Sequence, residues 1–569
     1  MLAALKRKAG HLAADPVLRR WLLARLVRRH PAPPAWADHR PPYLGEGWEG
    51  LAPEAPTRAW PEAAAGRPEA PLTLHLAGER VTLRPGEEGA LVRREFADLE
   101  TALSLHRFAW VPLLAAGDDP RWVSAIWRAW QAAWGKPDGG WAWHPYTATE
   151  RAVNLLAWAQ RNGLPAPAGA TCLAAHAPVI AAGLEWFGDH HTSNHCANNG
   201  RGLYLLGLAL GLTQATEVGV RILLEEGRRL FRPGGVLREA SSHYHLLLAR
   251  QWASIWLAAR QAGRPEAAEF ETVLRRALGV LPHLALPGRF PLVGDVSPDC
   301  PPEHLFGLLP GGDLETGWIG LLPEADRAAL GALRDAAPQA DPAALAADGW
   351  LRATFGRWTG LWHAEPKGWS PMPGHGHQDC GAAEIHCGDE VVFLDAGRGS
   401  YARSGEADAD VAARRHGGLT VDGLDPYPPN RPYYADAFRA TLAGPAELRR
   451  REDGITLRHG GYRRLGITVE RSWTFGPSAF TLADQVNGRG RHTITRRLVT
   501  GLAVENAGDA VLLRAPSGRI WRVGAPGAIL TAEPVTLWHA YGAGRPGTVL
   551  AFTSTARLPW HGTMTVETL

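Results

Sequence analysis

Apolar residues recur at spacings of three and four through the middle of the chain, from about residue 96 to 345. This spacing places them on one face of an α-helix, and Gly- or Pro-containing breaks separate the segments. Many helices in series without intervening strands predict an α/α toroid or a related helical array. The predicted helices include RWVSAIWRAWQAAWG, ERAVNLLAWAQRNGL, TEVGVRILLEEGRRLF and HYHLLLARQWASIWLAARQAG.

From residue 346 to 569 the apolar period changes to two. Runs such as GITLRHGGYRRLGITVERSWTF, FTLADQVNG and HTITRRLVTGL alternate apolar and polar residues and are bounded by Gly, Asp, Asn or Pro. This pattern predicts an antiparallel β-sandwich. A chain of 569 residues is too long for one core, so we expect a helical domain over 96–345 followed by a β domain over 346–569.

Residues 1–95 fit neither pattern. Leucines recur every four residues from Leu18 to Leu26 with arginines between them, which predicts an amphipathic helix packed on its own protein, with membrane-surface binding as the alternative. A Pro-rich stretch follows from Pro31 to about Pro71, and then the strand-like pair LTLHLAGERVTL. We interpret this region as an N-terminal helix and an extended arm laid over the rest of the molecule.

Charge and composition narrow the chemistry only a little. A net charge of +3 does not indicate a nucleic acid or a membrane surface, and no stretch approaches the ~20 apolar residues of a transmembrane helix. Nearly all the cations are arginines, which suit bidentate recognition of carboxylate and sulfate. The 24 tryptophans predict core packing and flat platforms for sugar rings. Five cysteines without a CxxC pair predict free thiols.

The densest polar cluster is PGHGHQDCGAAEIHCGDEVVFLDAGRGSYA, residues 373–402. His375 and His377 lie on a Gly-rich turn before a predicted strand, Asp395 ends the next strand, and His416 precedes another. Imidazole and carboxylate groups at successive strand ends can converge on one metal ion. The alternative is that His377, Asp395 and His416 are separate loop residues bonded to backbone.

A second cluster, DHHTSNHCANNGRGLY, covers residues 189–204 and precedes an apolar helix. Helix capping by Ser193 or Asn194 explains one or two of its polar residues but not all of them. Buried amides and imidazoles are costly unless they are hydrogen-bonded. The cluster therefore predicts a functional site.

Two further segments carry weaker signals. PGGVLREASSHYHLLLARQW contains Glu239 and Tyr244 before another helix, where a tyrosine is usually structural. GGWAWHPYTATERAVNLLAW contains Trp143, Tyr146 and Arg151, and its aromatic residues can stack on sugars or pack in the core.

In order along the chain, these segments resemble the heparinase II/III-like polysaccharide lyases. The resemblance rests on SNH at 193–195, SSHYH at 241–245 and HGHQD at 375–379, with WAWHPYTATERAVN before them and VFLDAG and RRHGGLTVDG after them. It runs over roughly residues 100–500. Two departures are Asn198, where some relatives have Glu, and HGGLTVDG in place of a His-Asn-Thr start.

The resemblance implies an incomplete (α/α) toroid followed by an antiparallel β-sandwich. It also implies β-elimination on an acidic, uronate-containing polysaccharide, without an organic cofactor. His377, Asp395 and His416 are the implied ligands of a mainly structural zinc ion, which would hold the loop that carries His375.

The implied mechanism divides the roles among four residues. Asn194 and His195 stabilise the charge that develops on the uronate carboxylate. Tyr244 suits both removal of the proton at carbon 5 and protonation of the leaving oxygen if nearby cations lower its pKa, and His375 is the second acid or base. The expected substrate contacts are Arg201, Asn198, Glu239, Trp143, Tyr146 and Arg151.

Two other functions remain open from the sequence. A glycoside hydrolase on an (α/α) scaffold needs two carboxylates, for which Glu239 and Asp189 are the tempting pair. The other is a non-catalytic glycan-binding or assembly protein linked to capsule or exopolysaccharide metabolism. The N-terminus lacks a signal-peptide pattern, which predicts a cytoplasmic location with the periplasm as alternative. The sequence leaves monomer and homodimer equally open.

Overall fold

The computed structural model describes residues 12, 15–27, 41–64, 66–166, 168–188, 193–370, 374–402, 405–431 and 433–569. Helices dominate up to residue 347, where the chain changes to strands. Before the toroid lie the helices Pro16–Leu26 and Glu88–Leu91. The toroid helices are Leu99–His106, Arg121–Trp134, Pro145–Asn162, Gly169–Ala174, His176–Ala182, Asn194–Leu210, Thr213–Leu230, Ser242–Gln261, Ala267–Leu284, Gly317–Gly320, Glu324–Asp335 and Pro342–Ala347.

The C-terminal part is built from antiparallel strands. Together with the N-terminal hairpin, the strands are β1 (Leu72–Leu76), β2 (Glu79–Leu83), β3 (Trp350–Phe355), β4 (Trp358–His363), β5 (Ala383–Cys387), β6 (Glu390–Phe393), β7 (Leu419–Val421), β8 (Ala446–Arg450), β9 (Gly454–His459), β10 (Thr468–Phe475), β11 (Ala479–Asn487), β12 (Arg491–Thr500), β13 (Ala503–Asn506), β14 (Ala510–Arg514), β15 (Ile520–Gly524), β16 (Ile529–Ala540), β17 (Ala543–Arg557) and β18 (Trp560–Thr568). Two short helices, Gly405–Ala409 and Asp436–Leu442, lie between strands.

The strands form three sheets besides the β1–β2 hairpin. An eight-stranded sheet has the order β13-β14-β15-β18-β11-β10-β9-β8, and two four-stranded sheets have the orders β16-β17-β12-β7 and β3-β4-β5-β6. Every strand pairing is antiparallel. The predicted fold class, a helical toroid followed by an antiparallel β-sandwich, is confirmed.

Burial explains why the long helices are so apolar. The helix Ser242–Gln261 is buried on nearly all sides, as expected for an inner helix of a toroid. Outer helices such as Thr213–Leu230 bury one face only. Many tryptophans belong to the core, and Trp127 and Trp130 stack with ring centroids 5.8 Å apart. Among the described residues, no helix combines the length and apolarity needed to cross a membrane.

The N-terminal helix packs on the β domain, as predicted for a helix that lies on its own protein. Val17 is buried in the β-domain core, and the Trp21 ring lies 4.6 Å from that of Tyr433. Leu18 and Leu22 are half-buried, whereas Leu26 is 80% exposed. The predicted leucine stripe is therefore covered only in part.

The following arm lies along the toroid, as predicted for the part that the structure describes. The amides of Thr57 and Arg58 donate to the carbonyl of Leu210, and the Ala63 amide donates to Leu164. The beginning of the Pro-rich stretch, from Pro31, lies outside the described residues.

Two glycines allow the helical and β parts to meet closely. Gly374 has a φ of 60°, and a Cβ there would lie 2.6 Å from the Cβ of Glu239. Gly294 has a φ of 76°, and its Cβ would lie 2.7 Å from the carbonyl oxygen of His375. Only glycine tolerates both the positive φ and the contact. The His375 loop is thereby held against the toroid.

Candidate active site

Helix N-termini position the toroid side of the site. Ser193 caps the helix Asn194–Leu210 by accepting a hydrogen bond from the His195 amide, and Ser241 caps the helix Ser242–Gln261 by accepting from the Tyr244 amide. Such caps satisfy backbone donors that the first turn leaves free. Asn194 and Tyr244 therefore lie in the first turns of two inner helices.

Asn194, Glu239 and His375 form one buried hydrogen-bonded group. Asn194 Nδ2 donates to Glu239 Oε2 at 2.8 Å and lies 3.2 Å from His375 Nε2. The backbone amide of Asn194 also donates to Glu239 Oε1. Both amide protons of the Asn194 side chain are thus engaged, and its Oδ1 is a buried atom without a hydrogen-bond partner among the described residues.

His375 is oriented from its other ring nitrogen. Its Nδ1 lies 3.0 Å from Asp295 Oδ2, and an Nδ1–H donated to this carboxylate leaves Nε2 with its lone pair. Burial raises the pKa of Asp295, but hydrogen bonds from His375 and His377 hold it well below its usual value. The charged carboxylate fixes a tautomer that suits a general base.

The Tyr244 phenol stacks on this imidazole. The two ring centroids are 3.4 Å apart with an interplanar angle of 12°. Tyr244 OH lies 2.7 Å from Tyr401 OH, which donates to the Val296 carbonyl. Burial raises the pKa of Tyr244 well above its ordinary value, and the charge of Asp299 raises it further. The predicted lowering of this pKa is wrong, because a buried phenol near a carboxylate stays neutral.

His195 is paired with a carboxylate on the toroid side. Its Nδ1 lies 2.6 Å from Glu185 Oε1, and its side chain is 38% exposed. Burial alone lowers the pKa of His195, but the charge of Glu185 and the hydrogen bond to it raise the pKa above its usual value. The ring of Tyr146 lies 4.5 Å away, and Tyr146 OH donates to Asp299. His195 can therefore present a charged Nε2–H donor.

The three predicted metal ligands come together. The ligand atoms offered by His377, Asp395 and His416 all lie within 4.8 Å of one another. His377 Nδ1 is buried without a hydrogen-bond partner among the described residues, while its Nε2 bonds Asp295 at 2.8 Å. His416 Nε2 bonds the Asp410 carbonyl, which leaves Nδ1 facing Asp395.

This arrangement fits a bound cation. Each imidazole uses one nitrogen for an outer partner and turns the other toward the shared carboxylate, as metal-binding histidines do. Two imidazoles and a carboxylate are a donor set that zinc accepts. The residues thus fit the implied zinc, although no metal is shown.

Several predicted substrate contacts have structural roles instead. Arg151 is fully buried, where its guanidinium bonds His176 and two carbonyls and lies 4.0 Å from the Trp130 ring centroid. Trp143 is 3% exposed and donates to the Trp134 carbonyl. Trp141, in contrast, is 55% exposed beside His144. The exposed aromatic platform at this end is thus Trp141 and not Trp143.

Three other predicted substrate contacts, Arg201, Asn198 and Glu239, are bonded to protein groups. Arg201 forms a buried ion pair with Glu150 at 2.7 Å and bonds Asn198 Oδ1. Glu239 is completely buried and holds Asn194. It therefore acts as a positioning residue. A carboxylate used in this way is a poor candidate for one of the two catalytic carboxylates of a glycoside hydrolase, the role in which it was paired with Asp189. Asp189 lies outside the described residues.

Four site residues escape sequence reasoning. Glu185 and Asp295 lie in segments without a recognisable motif, and Tyr401 and Arg398 end the His-rich segment without a spacing signal. Arg398 Nη1 lies 3.2 Å from Asp295 Oδ1, and its guanidinium lies 5.0 Å from the Tyr401 ring centroid. Only their convergence in the fold identifies them.

Comparisons with known proteins concern the C-terminal part of the chain and the overall fold. Residues 337–559 match the family described as heparinase II/III-like, C-terminal. This span contains His375 and the three candidate metal ligands but not Asn194 or Tyr244. No curated protein sequence matches the chain at a significant level.

Solved structures resemble the whole architecture. A crystal structure of heparinase III has a TM-score of 0.59 at 14% identity, covering 82% of this chain and 76% of that one. A heparinase III gene product scores 0.55 at 16% identity, covering 83% and 80%. A heparan sulfate lyase mutant from Pedobacter heparinus scores 0.51 at 15% identity, covering 84% and 78%. Such identities establish a shared fold and not a shared substrate. The family match itself covers residues 337–559, the β domain and the end of the toroid.

Proposed function

We propose that this protein is a polysaccharide lyase that cleaves a uronate-containing acidic polysaccharide by β-elimination. The observation that carries the proposal is the convergence of Asn194, Tyr244 and His375 from three distant segments. A phenol, an imidazole and an amide lie within hydrogen-bonding or stacking distance of one another. Elimination needs this combination: an acid, a base and a fixed polar group beside a sugar acid.

His195 is the group that supports charge on the uronate carboxylate. Removing the proton at carbon 5 sends negative charge onto that carboxylate, which must be stabilised. The imidazolium of His195, held by Glu185, offers a charged donor from an exposed edge. Asn194 contributes through His375, since both of its amide protons are already engaged.

The proton transfers fall to His375 and Tyr244. The Nδ1 contact with Asp295 leaves the lone pair on His375 Nε2. In the resting site this lone pair accepts from Asn194, and as the base it exchanges that hydrogen bond for the proton at carbon 5. The neutral Tyr244 phenol protonates the departing glycosidic oxygen, and its raised pKa suits a donor better than a resting base. Atoms balance, because one proton leaves carbon 5, one reaches the leaving oxygen, and a double bond forms between carbons 4 and 5.

A structural zinc ion fits the proposal. His377, Asp395 and His416 would hold it, and the ion would supply cross-linking between the loops and not a step of the reaction. His377 also bonds Asp295, the carboxylate that orients His375. The metal ligands would therefore restrict the motion of Asp295, and through Asp295 the orientation of His375.

The substrate class is a glycosaminoglycan-like polymer. Structural neighbours bear the names heparinase III and heparan sulfate lyase. The exposed Trp141 offers a platform for a sugar ring beside His144, which approaches the same Glu185 carboxylate as His195 does. A role in capsule or exopolysaccharide turnover extends this proposal to a polymer made by the producing cell.

A screen over uronate polymers tests the function. Heparan sulfate, chondroitin, alginate and the producer's own polysaccharide are incubated with the full chain, and the ultraviolet absorbance of the new double bond is followed. We expect absorbance to rise with at least one polymer. New reducing ends without absorbance would indicate hydrolysis, and binding without either product would indicate a glycan-binding protein.

A further inference from the structure

A second cavity lies at the opposite end of the toroid from the proposed active site. The inner helices Pro145–Asn162, Asn194–Leu210 and Ser242–Gln261 begin at the active site, and their later turns line a cavity of about 670 Å³. Ser254 in its wall is ten residues beyond Tyr244, or about 15 Å along the helix. The nearest wall residue on this helix, Arg250, is six residues beyond Tyr244, or about 9 Å along the axis, and the cavity extends from there away from the active site.

Two buried arginines lie in the cavity wall. Arg250 is 5% exposed and Arg201 is 2% exposed. Arg201 is paired with Glu150 at 2.7 Å, whereas the nearest carboxylate oxygen to Arg250, also on Glu150, is 3.8 Å away. Within the part of the chain that the structure describes, Nε and Nη2 of Arg250 have no hydrogen-bond partner.

Such a cation is costly without an acceptor. A guanidinium buried with its donors unused loses its hydration and gains little in return. Arg250 lies in the cavity wall with enclosed Nε and Nη2 atoms, and its one ion pair, from Nη2 to Glu150, is long at 3.8 Å. A guanidinium held this weakly keeps charge for a carboxylate that enters the cavity.

The remaining wall recognises the body of a ligand. Trp60, Trp158 and Trp318 line the cavity, and Trp60 is fixed by donating to the Ala209 carbonyl. Indole faces pack against flat rings and against the apolar faces of sugars. Arg58 and Arg161 add positive charge to the lining, and Asp326 is its one acidic residue among those described.

We propose that this cavity binds a small carboxylate carried on a ring, with the carboxylate on Arg250 and the ring against the tryptophans. A volume of about 670 Å³ suits a mono- or disaccharide. A uronate sugar and an aromatic acid share this chemistry, and separate arms of the experiment distinguish them. The proposal does not require that the active site performs elimination.

Calorimetric titration of the full chain tests the proposal with glucuronate and benzoate as probes and glucose as the neutral control. We expect at least one acid to bind and glucose not to bind. Arg250→Leu weakens binding by about tenfold or more, because the charge-assisted pair is lost. Ala258→Phe fills the cavity from a half-buried wall position and has the same effect.

Two variants serve as controls. Arg128→Leu removes an exposed arginine outside the cavity, and His195→Gln removes the cation of the proposed active site. Both are expected to bind the acid as the parent does. If circular dichroism shows that Arg250→Leu does not fold, the loss of acid binding in Ala258→Phe tests the proposal in its place.

Four results would overturn the proposal. They are no heat with either acid at millimolar concentration, equal binding of glucose, full competition by chloride, and binding that depends on His195 but survives Ala258→Phe. The absorbance assay is independent of all four, so failure of this site and failure of the lyase assignment are distinguishable.

Discussion

The two sides of the active site are held in place by different means. Asn194 and Tyr244 lie in the first turns of two helices. Each helix is capped by a serine within three residues of the site residue, Ser193 for Asn194 and Ser241 for Tyr244. His375 lies on a loop and takes its orientation from Asp295 and Glu239, which are 80 and more residues away. The helix side has local caps in addition to its tertiary contacts with Glu239 and Tyr401, whereas the loop side depends on tertiary contacts.

This difference indicates which substitutions should disturb the geometry of the active site. A capped first turn keeps its geometry as long as its helix is packed. A loop residue keeps its geometry only while every outer partner is present. Substitutions around His375 should therefore reduce turnover without touching substrate, whereas on the helix side only the reacting groups themselves should matter greatly.

Tyr244→Phe should have the largest effect on turnover. Removing the phenol eliminates the proposed acid, and general acid catalysis contributes about 10²–10⁴-fold. The ring still packs on His375, so the thermal midpoint should stay close to that of the parent. Initial rates of absorbance increase measure the effect, and unchanged turnover in the folded variant would remove Tyr244 from the mechanism.

Asp295→Asn should reduce turnover by about 10–100-fold, since it loosens the orientation of His375 without removing the base. Substrate KM should change much less than kcat, because Asp295 is 6% exposed. Steady-state kinetics separate the two constants. A loss confined to KM would show that Asp295 binds substrate and does not position His375.

The pH profile should show a limb at alkaline pH that belongs to His195. Glu185 raises the pKa of His195 most strongly among its neighbours, with a smaller rise from Glu239 and an opposing effect from Arg107. Activity should therefore be present while His195 is charged and be lost as pH rises through this raised pKa. His144, also close to Glu185, has a pKa lowered by burial.

Glu185→Gln should move that alkaline limb to lower pH and lower turnover by about tenfold at neutral pH. The raised pKa of His195 also makes the stability of the fold depend on pH. The ion pair stabilises the fold fully below the unfolded pKa of histidine and loses that contribution as pH rises through the raised pKa. An unmoved limb in Glu185→Gln would contradict the assignment to His195.

His377→Ala should affect stability more than chemistry. Loss of a ligand removes metal and its cross-link, and the free energy of unfolding should fall by roughly 2 kcal/mol or more. Thermal unfolding and elemental analysis measure this, with His492→Gln, a partly exposed histidine bonded to Asp422, as the matched control. Absence of metal from the parent protein would contradict the site.

Tyr401→Phe should have the smallest effect. It removes one hydrogen bond to Tyr244, which is worth about 0.5–1.5 kcal/mol, and so a several-fold change in kcat. The rest of the Tyr401 packing, including the ring contact with Tyr541, should persist. A loss as large as that of Tyr244→Phe would make Tyr401 a catalytic residue.

The sequence predicts the fold well, because apolar periodicity of three to four and of two reflects burial directly. It also selects Asn194, Tyr244 and His375, which the structure brings together, since each lies in a dense polar segment beside a helix or strand. It does not identify Asp295 or Glu185, because a single carboxylate carries no periodic signal. It misassigns Arg151 and Trp143, because an arginine stacked on indoles in a core looks the same in sequence as one that binds substrate.

The Leu18–Leu26 face shows the same limit on a smaller scale. Its spacing is helical and the helix exists, but the burial depends on Tyr433 and Tyr434, about 400 residues later in the chain. Which face of a short surface helix is covered depends on its tertiary partner and not on its own period.

The most direct test of the account is the mass of the oligosaccharides released from a uronate polymer by the parent protein. Elimination at the meeting point of the toroid and the β domain predicts that every fragment with a newly formed non-reducing end carries an unsaturated uronate there and is lighter by one water than the matching hydrolysis product. Saturated products heavier by that water would contradict the assignment of His375 and Tyr244 as base and acid.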